Sequence, residues 1–216
     1  MITLCLFTNC HKGCLIEPTI FRTLRSFKKT FGEPEKLEIY CDPNPNPKDY
    51  DEYAREIEKQ TGIKPIKTTG LDNGWIMALN NATTKYLFML EGDWQFYPDS
   101  IHHSLDGIKK MMSDNKLWFL LFNKHRNDKE LNGTKWQTYF DETDKDYCLS
   151  DRFSNNPNIL EVDYFKKNIV PMVNWTIGGA GRIEESLQKK VHIAVYGKLG
   201  NERTIKHLNG RRGGKK

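Results

Sequence analysis

The chain has 216 residues, 38% of them apolar and 12% aromatic, enough for one domain with a sizeable core. Its longest apolar runs, Leu117 to Phe122 and Tyr86 to Leu90, fall far short of the ~20 residues of a membrane span and argue against one. The formal net charge of +5 suits an anionic ligand, a nucleotide or a nucleic acid, but on charge alone a solvated basic surface ending in the tail Arg211 to Lys216 is the plainer reading.

Met1 to Phe7 carries no basic segment and no small-residue cleavage site, so it reads as a first strand rather than a signal peptide. Five cysteines, an odd count without paired metal-type spacing, point to a reducing compartment. The expected location is therefore the cytoplasm, that of the host if the protein is viral. Cys10 and Cys14 with His11 between them form half of a zinc pattern, and no second half accompanies it.

In chain order, Ile2 to Thr8 predicts a strand, and Ile20, Leu24, Phe27 and Phe31 recur at helical spacing in the helix after it. Leu37 to Cys41 predicts a second strand, closed by the proline-rich loop Asp42 to Pro47, which is expected not to continue it. A helix over Asp49 to Gln60, a strand over Ile63 to Thr68, a helix over Asn73 to Asn81 and a strand over Lys85 to Leu90 follow. This fourfold alternation is the pattern of a parallel sheet covered by helices. Beyond it come a helix carrying Ile101, Leu105, Ile108 and Met112 and a buried strand over Leu117 to Phe122. A long polar loop region spans 123 to 157. Asp163 to Ile169 and Glu184 to Lys190 follow as helical segments, and Val191 to Tyr196 as a final strand.

The segment richest in chemistry is Leu90-Glu91-Gly92-Asp93-Trp94, where a buried strand runs into two carboxylates separated by one glycine. Ligands of open α/β sheets sit at the carboxyl ends of strands, and carboxylates there suit a hard divalent cation that neutralises a diphosphate. An acidic turn capping the next helix is the plainer reading. Gly178-Gly179-Ala180-Gly181-Arg182 leads into a helix that begins Ile183-Glu184-Glu185. Its carboxylates are ordinary dipole partners or, alternatively, a general base above a flexible floor under a sugar. His207 alone is more often structural, and beside the carboxylates it becomes a candidate metal ligand.

Taken in order, these elements resemble the GT-A glycosyltransferases, in particular the broad family 2, over essentially the whole chain. The resemblance implies a Rossmann-like three-layer α/β/α sandwich with a mostly parallel sheet, forming a single domain over 1–216. Residues 1–97 would bind the nucleotide and 98–216 the acceptor. It places Thr8, Asn9 and Asp42 near the nucleoside, with Asn80 in the stretch before the metal motif and Glu91 and Gly92 in it. It makes Asp93 a metal ligand, joined by His207 and by Glu91 directly or through water. The metal is Mn²⁺ or Mg²⁺, and the donor is a nucleotide-diphosphate sugar, a UDP-sugar first. Glu185 is the first choice as catalytic base, with Glu184 in reserve, and a positioned base implies inversion. Two departures stand out: Glu replaces Asp at the start of the metal motif and again at the base. Trp94, which reads about as well as a core residue, Asn155 and Asn156, which read equally as a plain polar turn, and Gly179 and Arg182 are the candidate sugar and acceptor contacts. The expected acceptor is a glycan or glycoprotein hydroxyl. The alternatives are modified (hydroxymethylated) DNA and, from other classes, a sugar nucleotidyltransferase or a non-catalytic binding module.

Overall fold

The structure is a computed structural model that describes residues 1–16, 18–128, 139–175, 182–187 and 190–208. Strand β1 (Ile2–Cys10) leads through α1 (Thr19–Phe31) to β2 (Lys36–Pro45), then α2 (Tyr50–Thr61), the short β3 (Ile66–Lys67) and α3 (Leu71–Asn81). Next come β4 (Tyr86–Glu91), β5 (Trp94–Phe96), α4 (Leu105–Asp114) and β6 (Phe119–Leu121). The remainder is β7 (Tyr139–Glu142), β8 (Tyr147–Ser150), β9 (Asn158–Glu161), α5 (Val162–Tyr164), α6 (Arg182–Leu187), β10 (Ile193–Tyr196) and β11 (Ile205–His207).

Nine strands form one sheet in the order β3-β2-β1-β4-β9-β6-β10-β8-β7, while β5 and β11 pair in a separate ribbon. Following the pairings across it, only β8 and β9 run against the others, so the sheet is mostly parallel. Alternate residues of each central strand point to opposite faces. Leu4 and Leu6 of β1 join Phe88 and Leu90 of β4 in one core, against Ile20, Leu24 and Phe27 of α1, Tyr53 and Ile57 of α2, and Ile108 and Met112 of α4. Cys5 and Phe7 join Leu87 and Met89 in the other, against Trp75 and Leu79 of α3 and Ile183 and Leu187 of α6. Helices thus cover both faces, giving the expected three layers.

The order 3-2-1-4 matters for function. From β1 the chain winds outward through β2 and β3, then α3 carries it across the opposite face to β4 on the far side of β1. The winding reverses between β1 and β4, and crevices form at such points beyond the carboxyl ends of the strands.

Both halves depart in places from the sequence reading. Strand β2 continues through Asp42 and Pro43 to Pro45, where a loop was expected, and Cys10 pairs with Pro45 across a bulge. It can do so because β3 pairs only with Tyr40 and Cys41, leaving an open edge where proline's missing N–H costs nothing. The third strand is two residues rather than six. Helix α4 starts at Leu105, not at Ile101, because Ser104 caps it by accepting from the Gly107 N–H at 3.2 Å. The region 123–157 contains the hairpin β7–β8. Strand β9, inserted antiparallel between β4 and β6, is a further unforeseen element. No helix among the described residues is long and apolar enough to cross a membrane.

Candidate active site

A cleft of about 430 Å³ opens at the carboxyl ends of β1, β2, β3 and β4, lined among others by Thr8, Asn9, Asp42, Glu91, Gly92 and Asp93. Each wall is a strand end. Thr8 sits at the end of β1, its hydroxyl 2.9 Å from the phenol of buried Tyr53. Asp42 is held as an acceptor, its Oδ1 receiving the backbone N–H (2.9 Å) and the side-chain amide (3.0 Å) of Asn44. Gly92 donates its N–H to the Phe7 carbonyl at 2.6 Å, drawing the end of β4 against β1. A Cβ there would lie 3.1 Å from that carbonyl oxygen and 3.4 Å from the Cβ atoms of Ile20 and Thr8. The glycine of the acidic triplet therefore serves close backbone approach.

The ribbon then sets the metal-type ligands side by side. Strand β5 begins directly after Asp93, and its antiparallel partner β11 pairs His207 with Trp94. His207 Nε2 lies 3.0 Å from Asp93 Oδ2, and the Leu208 N–H donates to the Asp93 carbonyl at 2.6 Å. Among the described residues no group of three or more His, Cys, Asp or Glu side chains is gathered to hold a metal ion. The pair still fits one chemically: a carboxylate oxygen and an imidazole nitrogen suit Mn²⁺-type ions, and such ions commonly take much of their shell from substrate phosphates. Burial, then the neighbouring Asp93 and Glu184 carboxylates, push the Glu91 carboxyl up to about 8. Carboxylates from two separate segments, 91–93 and α6, thus act on one another.

Glu184 reaches this cluster from the second half. Helix α6 buries Ile183 and Leu187, which leaves Glu184 half-buried and turns Glu185 out to solvent. Glu184 Oε1 accepts from the Ser154 hydroxyl at 2.9 Å and from the Asn155 N–H at 2.6 Å. The Ser154–Asn158 turn therefore holds a carboxylate in place. Asn155 and Asn156 are themselves buried in that turn, and the Asn156 N–H donates to Ser154 Oγ at 3.3 Å.

Two of the expected sugar and nucleotide contacts do not line this cleft. Trp94 is 5% exposed, packed in the core with its ring edge-on to His207 at 4.8 Å, so no face is open for a sugar. Asn80 is exposed near the end of α3, whereas the cleft receives Gly70 and Leu71 at its start, about 13 Å away along the axis. Gly179, the Arg182 side chain, the glycine turn before α6 and the Arg211 to Lys216 tail lie outside the described residues. Sequence reasoning missed His11, Thr19, Asn44, Thr68 and Thr69, all of which line the cleft. The strand-end rule applied to Ile66–Lys67 would have found Thr68 and Thr69, which follow it directly.

No protein-family model matches the sequence, and no curated protein matches it. Among solved structures, residues 1–349 of TarS from S. aureus in complex with UDP-GlcNAc are similar at a TM-score of 0.55 and 12% identity, covering 96% of this chain. The same TarS segment in a second structure gives 0.53 and 12% identity over 94% of this chain. The chain spans about three fifths of those proteins' structures, 61% and 59%. The likeness shows the fold: the layered, mostly parallel sheet described above is the GT-A fold.

Proposed function

We propose that the chain is a glycosyltransferase that moves a sugar from a nucleoside diphosphate to a hydroxyl of a carbohydrate-type acceptor, with residues 1–97 binding the nucleotide and 98–216 the acceptor. The observation that carries this reading is the strand-end cleft of a GT-A fold lined by Glu91 and Asp93, with Glu184 of α6 near enough to act on Glu91. The five free cysteines, all buried, support a reducing, cytoplasmic setting.

Thr8, Asn9 and Asp42 hold the nucleoside, with Thr68 and Thr69 along the same wall, and a UDP-sugar is the first donor to try. Asp93 and His207 hold Mn²⁺ or Mg²⁺, with Glu91 beside them. When bound, the ion offsets the negative charge that develops on the departing diphosphate. Glu184, rather than Glu185, takes the proton of the acceptor hydroxyl. The hydroxyl oxygen attacks the anomeric carbon as its bond to the diphosphate breaks, and the sugar inverts. The support for choosing Glu184 is its orientation by Ser154 and Asn155 and its effect on Glu91, neither of which Glu185 shares.

Calorimetric titration of UDP, GDP, CDP and dTDP, each with and without Mn²⁺, tests the reading on wild type and Asp93→Ala. One diphosphate is expected to bind in a metal-dependent manner, and the mutant to lose that dependence. Failure of all four diphosphates to bind under either condition would end the nucleotide-sugar reading.

A further inference from the structure

The ribbon that brings His207 to Asp93 is too short to hold itself. Strands β5 and β11 are three residues each, and two-stranded ribbons are marginal even when longer. Side chains alternate along a strand, so a slip of one residue in β11 would turn His207 to the opposite face and present Lys206 to Asp93 instead. Something outside the ribbon must set the register.

Asn123, two residues past the end of β6, is in position to do so. Its backbone carbonyl accepts from the N–H groups of Thr204 (2.9 Å), just before β11, and Ile205 (3.2 Å), its first residue. The Thr204 hydroxyl sits 2.6 Å from Asn123 Oδ1 and 3.1 Å from its carbonyl oxygen. The Asn123 amide donates to the carbonyls of His125 (2.7 Å) and Glu202 (3.3 Å), fastening the approach to the strand as well. The Thr204 carbonyl in turn accepts from the Tyr97 N–H at 2.8 Å, just past the end of β5. Asn123 and Thr204 are both 0% exposed. In a dry site no water can stand in for a lost partner, and an unmatched group costs its full desolvation.

We propose that Asn123 and Thr204 are positioning residues for the metal-binding pair: together they fix the register of β11 and so the distance from His207 to Asp93. The inference rests on the metal-dependent reading above. It predicts that the Thr204 hydroxyl matters to metal affinity although it touches neither metal ligand. Thr204→Val keeps the shape of the side chain but leaves Asn123 Oδ1 without its donor, whereas Thr204→Ser retains the hydroxyl.

The test is Mn²⁺ binding in the presence of UDP, read from the electron paramagnetic resonance of free Mn²⁺, in wild type, Thr204→Val, Thr204→Ser and His207→Ala. Metal-free UDP affinity is measured alongside. Thr204→Val is expected to weaken Mn²⁺ binding about tenfold or more, the scale of supporting groups around metal ligands, with metal-free UDP affinity unchanged. Thr204→Ser is expected to restore wild-type Mn²⁺ binding. Should Thr204→Val not fold, Thr204→Ala carries the same expectation. Wild-type Mn²⁺ affinity in the hydroxyl-less variant overturns the positioning role alone, and so does an equal loss of Mn²⁺ and metal-free UDP binding. Wild type and His207→Ala that bind Mn²⁺ alike overturn the metal reading and the positioning role together.

Discussion

The two halves of the sheet hold their site residues by different means. In the first half the cleft is made of strand ends: Thr8, Asp42 and Glu91 stand where they do because β1, β2 and β4 are paired in register and buried. In the second half the key groups sit on short elements, a six-residue helix and a three-residue strand, tied down by side-chain hydrogen bonds from Ser154 and Asn123. The first arrangement resists change until the backbone itself is disturbed. The second depends on single hydroxyl and amide groups, so its variants should separate function from stability cleanly.

The sharpest way to break that comparison is at the carboxylates of α6. Glu184→Gln keeps the shape and the acceptor oxygen but removes the base, so kcat is expected to fall about 10²–10⁴-fold. Glu185→Gln, on the exposed side of the same helix, is expected to leave kcat within about twofold. Steady-state kinetics with a cleaved-donor assay read both. If Glu185→Gln is the damaging variant, the orientation of α6 does not describe the working site.

That pair also marks the limit of what the sequence made legible. The alternation of strand and helix over residues 1–91 was readable because each element carries its own periodicity; the strand-end rule then placed Glu91 and Asp93, and the family resemblance set Thr8 and Asp42 beside them. The resemblance put Glu185 ahead of Glu184, but the choice depends on which face of a short helix meets the Ser154 turn thirty residues away, and periodicity does not reach that far. Strands β5, β9 and β11 are three or four residues long, below the length at which alternation is a signal. Trp94 read equally well as a sugar platform and as core, and only its burial decides.

In the first half the weak point is backbone proximity. Gly92→Ala places a methyl 3.1 Å from the Phe7 carbonyl oxygen, and neither β1 nor β4 can shift without moving the centre of the sheet. A loss of about 1–3 kcal/mol in unfolding free energy is expected, measured by denaturant titration. An unchanged midpoint would mean that the strand ends are looser than their register implies. Ser154→Ala should do the reverse. It removes one of two bonds to Glu184 Oε1 while the Asn155 N–H remains, so kcat is expected to fall about tenfold. Its unfolding midpoint should stay close to that of wild type, since Ser154 is only partly buried.

The smallest effect sharpens the comparison within the first half, between two asparagines. Asn44 donates twice to Asp42 Oδ1 and lines the cleft, but it is exposed, so water can replace much of what it gives. Only the bond from its side-chain amide is lost in Asn44→Ala, because the backbone N–H stays. A single exposed bond of this kind contributes about 0.5–1.5 kcal/mol, which sets the expected weakening of diphosphate binding at about two- to tenfold. Asn80 lies in the stretch that resembles the family's nucleotide-binding sequence, yet α3 carries it to the end remote from the cleft. Asn80→Ala is expected to bind the diphosphate as wild type does. Calorimetry on the two variants reads the difference. A loss confined to Asn80→Ala would mean that the nucleotide lies along α3 instead of across the strand ends, and Asp42 would lose its place at the nucleoside.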